Sequence, residues 1–367
     1  MINVKGQFIT PLQFILCIHS TQTAAGILLL PSVIAGSVGT DGWITIILGW
    51  MCTNIIGVFI ILTMLKNPKK NFSDILIHYF GKWIGKLLLV LYSIHFILVG
   101  FLALLRAIDV VKVWILPQTS SYEIVLLLLI PFYIIGKDSI ISVCKYNEII
   151  FFLTLFLPII LIFSLKTGFH PIHLLPILKE GWLPIFKGLK DTFYSYSGLE
   201  ISYILYPFLQ KKEKALKGIL IANTLTMFLL LYVTLLCFLH FSPKGMQTII
   251  WPGFSLLKGI QVSFLERFEI LYVAYYLLMF STTIVPYFFC ATYTMTHIST
   301  SIKTRFSNMC LIILMTLVFI FVKFGVDELI NMYSFINRIT FTFFIILPTL
   351  FLICSYSFPL KKGWKNS

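Results

Sequence analysis

The feature that most constrains this chain is an uncharged stretch from Gly6 to Thr40 whose centre, residues 21–26, reads Thr-Gln-Thr-Ala-Ala-Gly. About 20 apolar residues suffice to cross a bilayer, so the stretch is long enough to span one. Its centre, however, includes Thr21, Thr23 and Gly26, which favour a helix only weakly, and a helix broken at membrane depth leaves backbone groups that lipid cannot satisfy. Such a break has to face a polar cavity or a ligand. The alternative is a face of small residues that lets a neighbouring helix approach closely.

Composition extends this constraint to the whole chain. Hydrophobic residues make up 59% and charged residues 11%, whereas soluble domains carry about 25% charged residues. The apolar stretches predict a single membrane domain, 1–367, that is an all-α polytopic membrane protein with ten transmembrane helices. The predicted segments are, in order, 10–36, 42–65, 87–112, 122–136, 147–165, 184–209, 218–241, 267–295, 307–324 and 337–358.

Two stretches between these segments differ from ordinary loops. The basic connector 66–86 carries apolar residues at helical spacing, which predicts a cytoplasmic amphipathic helix on the membrane surface. The stretch between the seventh and eighth segments is too polar to span and too apolar for an open loop, so we expect it to fold back over the outer mouth. The residues behind these predictions are Ile75, Leu76, Tyr79 and Phe80 in the connector, and Trp251, Pro252, Leu256 and Leu257 in the second stretch.

The cations predict the orientation, because cytoplasmic loops of membrane proteins carry an excess of Lys and Arg. With both termini in the cytoplasm, 17 of the 28 Lys and Arg residues lie on inward-facing stretches. These are Lys5, Lys66, Lys69, Lys70, Lys82, Lys86, Lys137, Lys145, Lys211, Lys212, Lys214, Lys217, Lys303, Arg305, Lys361, Lys362 and Lys365. Topology therefore accounts for most of the formal net charge of +14, and we expect no nucleic-acid partner.

A second interruption lies in the sixth segment, where residues 191–200 read Asp-Thr-Phe-Tyr-Ser-Tyr-Ser-Gly-Leu-Glu. Ser197 and Glu200 have the spacing of a capping box, which predicts two half-helices, about 184–194 and 199–209. Glu200 is the deepest carboxylate in the chain, and ionisable groups at that depth are costly and often functional. Three roles stay open for it: capping the half-helix, pairing with a neighbouring helix, or binding a ligand or coupling protons.

The two interruptions are five segments apart. An odd offset means that the halves 10–165 and 184–358 enter the membrane in opposite senses. This is the arrangement of a 5+5 inverted repeat in which the broken helices 1 and 6 meet at a central site.

Residue matches take the argument further. The stretch Ala25-Gly26-Ile-Leu-Leu-Leu-Pro31, followed by Asp41-Gly42-Trp43-Ile44-Thr45, resembles the opening of the B subunits of bacterial spore germinant receptors. Further similar stretches follow in order over nearly the whole chain. They are Gly81-Lys-Trp-Ile-Gly85, Arg106 with Val111-Lys112, Gly198-Leu-Glu200 before Lys211–Lys217, Ile250-Trp-Pro252, Glu266-Arg-Phe-Glu269 and Met332-Tyr-Ser334.

The resemblance implies a permease-like fold of the amino acid–polyamine–organocation superfamily, which shares the inverted repeat with broken helices. It also implies a receptor subunit that binds a small nutrient, usually an amino acid, and triggers germination. Its partners would be a membrane-anchored A subunit and a C-subunit lipoprotein, in the lipid of the spore inner membrane. The alternative function is a proton- or sodium-coupled amino-acid permease, and a third is a pseudo-transporter that only holds its partners together.

We expect the ligand pocket at the two breaks. The second half of the first helix starts there, and its positive dipole end suits a carboxylate. Both breaks would supply backbone groups, and the facing helices would form the walls. The predicted ligand-binding residues are Thr23, Ala25, Gly26, Phe96, Gly100, Ser197, Gly198, Leu199, Glu200, Ser281, Thr282 and Thr283.

Thr282 and Thr283 allow two interpretations. In sodium-coupled relatives of the superfamily, hydroxyls of the eighth segment bind the ion together with carbonyls of the first. Adjacent threonines on a membrane helix more often bond back to the preceding turn. We therefore expect no metal and no cofactor.

The sequence does not favour an enzyme. Only His170 and His173 have metal-ligand spacing, and no Cys or carboxylate lies close to them in the loop. The chain also lacks a P-loop and a glycine-rich cofactor motif. Arg106 and Asp109, three residues apart on one helix, are expected to form a local pair.

The predicted topology is tested by fusing alkaline phosphatase to truncated chains, because that enzyme needs disulfides and is active only outside the cytoplasm. A fusion after Lys70 should be inactive and a fusion after Lys179 should be active. The reverse pattern would contradict the orientation.

Overall fold

The computed structural model describes residues 8–137, 139–260, 268–298, 304–322 and 326–357. Within this part of the chain the secondary structure is almost entirely helical, and the helices follow the predicted apolar segments. Their bounds are α1 Pro11–Ser37, α2 Gly42–Lys66, α3 Phe72–Trp114, α4 Ser121–Gly136, α5 Ile140–Thr154, α6 Phe156–Leu161, α7 Trp182–Phe193, α8 Ser202–Leu205, α9 Ala215–His240, α10 Pro243–Thr248, α11 Pro252–Ser255, α12 Phe268–Ile298, α13 Thr304–Phe321, α14 Val326–Phe341 and α15 Leu347–Ser357.

The described helices make a multi-pass membrane protein. Seven of them are long and apolar enough to cross a bilayer, and the number rises to eight when the two halves of α1 are taken as one span. The all-α membrane fold is therefore confirmed. The total of ten spans stays a prediction, because α4 is a shorter apolar helix and the sixth predicted segment is divided into short pieces.

Both predicted interruptions are present in the backbone. In α1, the stretches Pro11–Thr23 and Gly26–Ser37 are bent by 50° relative to each other. In the sixth segment, α7 is followed by a 3-10 turn at Tyr194–Tyr196. Ser197 is then extended, and Gly198 has a φ of +123° before the chain resumes as short helical turns. We call residues 194–201 the α7–α8 break.

The centre of the bundle is the contact between α3 and α12, where small residues allow a close approach. A methyl group added at Gly100 would lie 2.6 Å from the ring of Phe288. The hydroxyl of Ser93 donates a hydrogen bond of 2.6 Å to the carbonyl of Ala291. Such small and hydroxyl-bearing residues hold helices together where lipid is as apolar as the helix surface.

The basic connector is helical, but its apolar face is buried in the protein. The helix α3 starts at Phe72 and changes direction at Gly81, whose φ of +77° is not helical. Phe72, Ile75 and Leu76 are buried. Ile75 and Leu76, two of the apolar residues assigned to the membrane-facing side, thus pack on the bundle, and the position of the connector on the membrane surface stays a prediction.

The stretch between α9 and α12 folds back as predicted, over the second half of α1. Gln247 donates a hydrogen bond of 3.1 Å to the carbonyl of Ala35. Phe254 is fully buried, and its ring contacts those of Trp114 and Tyr276. The stretch thus covers one end of the bundle.

Two smaller predictions concern charged residues. Arg106 and Asp109 form the expected local pair, with 3.6 Å between Nη1 and Oδ2. Glu266 and Arg267 lie outside the described residues, as do the cations Lys5, Lys303, Lys361, Lys362 and Lys365. The side chains of Tyr333 and Ser334 also lie outside the described part.

Phe72→Ala should destabilise the fold, because the ring stacks on Tyr203 at 4.6 Å and is fully enclosed. Truncating a buried Phe to Ala costs about 3–5 kcal/mol. Trp83→Ala, on the same helix but 89% exposed, is the matched control. Thermal unfolding of the detergent-purified protein measures both, and equal melting temperatures would contradict the packed connector.

Candidate functional site

The break in α1 and the α7–α8 break lie against each other. A methyl group added at Gly26 would sit 2.9 Å from Cβ of Ser195, and one added at Gly198 would sit 2.9 Å from Cγ of Gln22. The Gln22 side chain also donates a hydrogen bond of 2.8 Å to the carbonyl of Tyr196. The two interrupted helices therefore meet, as the sequence predicts, and they are in direct contact in this conformation.

The backbone of the α7–α8 break depends on Gly198. A φ of +123° is a conformation that residues with a Cβ rarely adopt, so glycine is needed here. The predicted capping box does not form. The Ser197 hydroxyl and backbone N–H both donate to the carbonyl of Tyr194, because Ser197 is extended and bonds back to the preceding turn. Glu200 instead accepts a hydrogen bond of 2.8 Å at Oε2 from the backbone N–H of Gly198.

Glu200 is fully buried, and both of its carboxylate oxygens have partners. Tyr287 donates a hydrogen bond of 2.8 Å to Oε1, and Nε2 of His95 lies 3.3 Å from the same oxygen. Of the roles left open by the sequence, these contacts favour pairing with neighbouring helices. Glu200 thus ties the α7–α8 break to α3 and α12.

His95 is held by stacking as well as by this polar contact. Its ring lies parallel to that of Phe343, with 4.7 Å between centroids and 2° between planes. Phe343 belongs to a π-helical turn, Thr342–Ile346, between α14 and α15. Such turns are rare and frequently occur at functional sites. The buried cluster therefore joins the second break to the last span as well.

The carbonyls at the α1 break are met by hydroxyls of α12. Thr283 donates to the carbonyl of Thr21 at 3.0 Å, and Thr282 lies 3.3 Å from the carbonyl of Ser20. Thr282 also bonds back to Met279 at 2.7 Å. The structure thus contains both arrangements expected for this threonine pair, namely contacts with α1 carbonyls and a bond back to the preceding turn. In this conformation the hydroxyls bond directly to the carbonyls beside the α1 bend.

A network of amides and hydroxyls around Gln22 was missed by the sequence analysis. Oε1 of Gln22 accepts a hydrogen bond of 2.7 Å from Thr226, and Nε2 lies 3.2 Å from Oδ1 of Asn223. Asn223 in turn donates 3.0 Å to Thr53 of α2, and His19 lies 2.9 Å from the Thr226 hydroxyl. The available signal was the presence of an amide in the middle of two uncharged membrane helices, where unpaired polar groups are costly.

The remaining predicted residues take different positions around the breaks. Ala25 lies in the α1 bend, and Leu199 is buried at the start of the turn after Gly198. Phe96 is fully buried. Ser281 points to α5, where its hydroxyl lies 2.5 Å from that of Tyr146. Ser281 therefore contacts α5, and Gly100 packs against Phe288 of α12. Both residues connect helices instead of facing the breaks.

A cavity of about 480 Å³ adjoins the α1 break on the side of α5 and α9. Its polar lining residues are His19, Ser20, Thr23, Thr154, Tyr232 and Thr282. The other walls are almost entirely apolar side chains of α5, α6 and α9. Its size is in the range of small-molecule sites, which are mostly apolar with a few polar groups.

Across the described ranges, no group of three or more His, Cys, Asp or Glu side chains is arranged to hold a metal ion. The rings of His170 and His173 are 5.1 Å apart. No third His, Cys, Asp or Glu side chain completes a metal site with this pair in the described structure.

The fold identifies a class of protein. The chain is similar to MhsT, solved in complex with L-phenylalanine, with a TM-score of 0.70 and 14% identity over 97% of this chain and 90% of MhsT. It therefore has a transporter fold built around interrupted helices.

The sequence comparisons then show the family. Residues 8–328 match the family described as "Spore germination protein". The chain is 31% identical to the spore germination protein GerQB of Bacillus cereus over 72% of this chain and 73% of GerQB. It is 29% identical to the spore germination protein YndE of Bacillus subtilis (strain 168), over 76% and 78% of the two chains. The chain belongs to the spore germination protein family and has a permease-like fold.

Glu200→Gln should destabilise this protein, because the Gln amide has one acceptor oxygen. The Glu200 carboxylate accepts hydrogen bonds from Tyr287 and the Gly198 N–H and contacts His95. Leaving a buried hydrogen-bonding group without its partner costs about 1–3 kcal/mol. His95→Phe should also destabilise, and the double variant should lose less than the sum of the two.

Thermal unfolding of the purified variants measures this coupling. The exposed Glu213→Gln serves as the control. Strictly additive losses would show that Glu200 and His95 act independently.

Proposed function

We propose that this chain is the permease-like B subunit of a spore germinant receptor, and that a small nutrient, most simply an amino acid, binds where the two helix breaks meet. The observation that carries the proposal is the contact of Gly26 with Ser195 and of Gly198 with Gln22. Membership of the spore germination protein family supports the physiological role, and the transporter fold supports a small-molecule ligand.

The breaks offer groups that suit an amino acid. The second half of α1, Gly26–Ser37, starts at the contact, and its first N–H groups and positive dipole end favour a carboxylate. The extended backbone around Ser197 leaves further polar groups outside a regular helix. The proposed direct contacts are Thr23, Ala25, Gly26, Ser197, Gly198 and Leu199, with Phe96 as a wall.

The other predicted residues position the helices that form this site. Thr282 and Thr283 satisfy α1 carbonyls, and Glu200 holds the start of the turn after Gly198. Gly100 and Ser281 set how closely α12 approaches α3 and α5.

The response follows from population shift. In the described conformation Gly198 packs on Gln22, so a ligand between the breaks has to separate them and to replace the bond from Gln22 to Tyr196. A nutrient that binds the separated arrangement more tightly shifts the equilibrium by that difference in affinity. Movement of the α7–α8 break would pass to α3 and α12 through Glu200.

The setting is the inner membrane of the spore, with both termini in the cytoplasm. Partners are the membrane-anchored A subunit and the C-subunit lipoprotein, and lipid contacts the apolar helix faces. Names of the relatives, all spore germination proteins, and the cation distribution support this assignment.

An amino-acid permease coupled to protons or sodium is the second candidate. The observation that favours it is the pairing of Thr282 and Thr283 with the carbonyls of Ser20 and Thr21. Uptake of labelled amino acids into proteoliposomes that contain this chain alone would support the permease. Loss of germination on deletion, without uptake, would support the receptor.

Gly26→Ala should abolish the nutrient response or raise the half-maximal nutrient concentration, because its methyl group would meet Cβ of Ser195 at 2.9 Å. Gly36→Ala on the same helix is the matched control, since nothing lies within 4 Å of a methyl group there. The measurement is the germination dose–response of spores with equal protein levels.

Gly198→Leu should act in the same direction and more strongly, because it adds bulk against Gln22 at a positive φ. If spores carrying either break variant kept the dose–response of the parent to every amino acid, the site would be assigned to the wrong place.

A further inference from the structure

A second cavity of about 340 Å³ lies between α7 and α14, directly before the α7–α8 break. We call it the vestibule and define it by its lining residues, Lys190, Asp191, Phe193, Asn337, Arg338, Thr340 and Phe341. Phe193 is the last residue of α7, and α14 packs on the turn Tyr194–Tyr196 that leads into the break. Under the predicted topology the vestibule opens on the outer side of the membrane.

The vestibule contains charges of both signs. Lys190 and Arg338 are exposed, and neither is among the ion pairs of the described residues. Asp191 is half-buried beside Lys190. The cavity thus presents two cations from different helices and one carboxylate within a volume that suits a small molecule.

Thr340 provides an independent indication of a ligand. Its side chain is 1% exposed, it lines the cavity, and its hydroxyl has no hydrogen-bond partner in the described structure. Burying a hydroxyl without a partner is unfavourable, and nearly all buried polar groups in proteins are paired. A polar molecule in the vestibule would supply the missing partner.

We infer that the vestibule is a binding site for a zwitterionic amino acid, distinct from the site at the breaks. The carboxylate of the ligand pairs with Arg338 and Lys190, its ammonium group pairs with Asp191, and a carboxylate oxygen accepts from the Thr340 hydroxyl. Charge-assisted bonds of this kind are stronger than neutral ones, and a guanidinium matches a carboxylate geometrically.

An aromatic pair forms one wall of this site. The rings of Phe193 and Phe341 are 5.9 Å apart and tilted by 55°. They offer an apolar surface to the side chain of the bound amino acid, next to the turn that enters the break. The inference rests on the proposed function, because it describes where the nutrient of that function is held first.

The test uses spores whose germination depends on this chain, with L-alanine, L-valine, L-leucine and L-phenylalanine as probes. Arg338→Gln should raise the half-maximal concentration of the active amino acid about tenfold while the maximal germination rate stays the same. Arg338→Lys should recover part of this loss, since it keeps the charge but lacks the planar guanidinium. Lys187→Gln, exposed on α7 outside the lining, is the control.

Thr340→Val separates binding from folding. The valine is close in shape and removes the unpartnered hydroxyl, so the melting temperature of the purified protein should stay equal or rise. The half-maximal concentration should nevertheless rise about threefold, as expected when one hydrogen bond to the ligand is lost.

Three results would overturn the vestibule assignment. They are unchanged dose–responses for both Arg338→Gln and Thr340→Val, an equal shift for Lys187→Gln, or no response of the parent spores to any of the four amino acids. Gly26→Ala keeps the two proposals apart, because an unchanged response of that variant counts against the site at the breaks and not against the vestibule.

Discussion

The structure depends on satisfying the backbone of two helices that are interrupted inside an apolar medium. Lipid offers no hydrogen-bond partners, so every carbonyl and N–H released by a break needs one from the protein or from a ligand. Here the carbonyls of Ser20 and Thr21 are met by threonines of α12, and that of Tyr196 is met by Gln22. A connected group of buried polar side chains thus lies where the helices are broken.

The same contacts connect the breaks to distant parts of the molecule. Glu200 links the α7–α8 break to His95 and Tyr287, and His95 stacks on the π-helical turn of the last span. After the break, Tyr203 of α8 stacks on Phe72 of the basic connector. Direct contacts therefore connect the breaks to the connector, which the cation distribution predicts to lie on the cytoplasmic side.

Much of the fold could be predicted from the sequence, because long apolar runs determine where helices form, and the glycines Gly26 and Gly198 mark where one helix bends and another stops. The partners of buried polar groups could not. His95 and Glu200 are 105 residues apart, and helical periodicity does not indicate which helix an amide such as Gln22 faces. The burial of Ile75 in the connector could not be predicted for a related reason, since an amphipathic helix has the same pattern whether this side chain meets lipid or protein.

The most direct test of nutrient binding at the breaks is hydrogen–deuterium exchange of the intact receptor, with and without its active nutrient. If the nutrient binds there, it should change exchange in two peptides that are distant in sequence, around residues 20–26 and 194–201. If exchange changed only elsewhere, with both break peptides unaffected at a saturating concentration, the nutrient would not bind where the two helices meet.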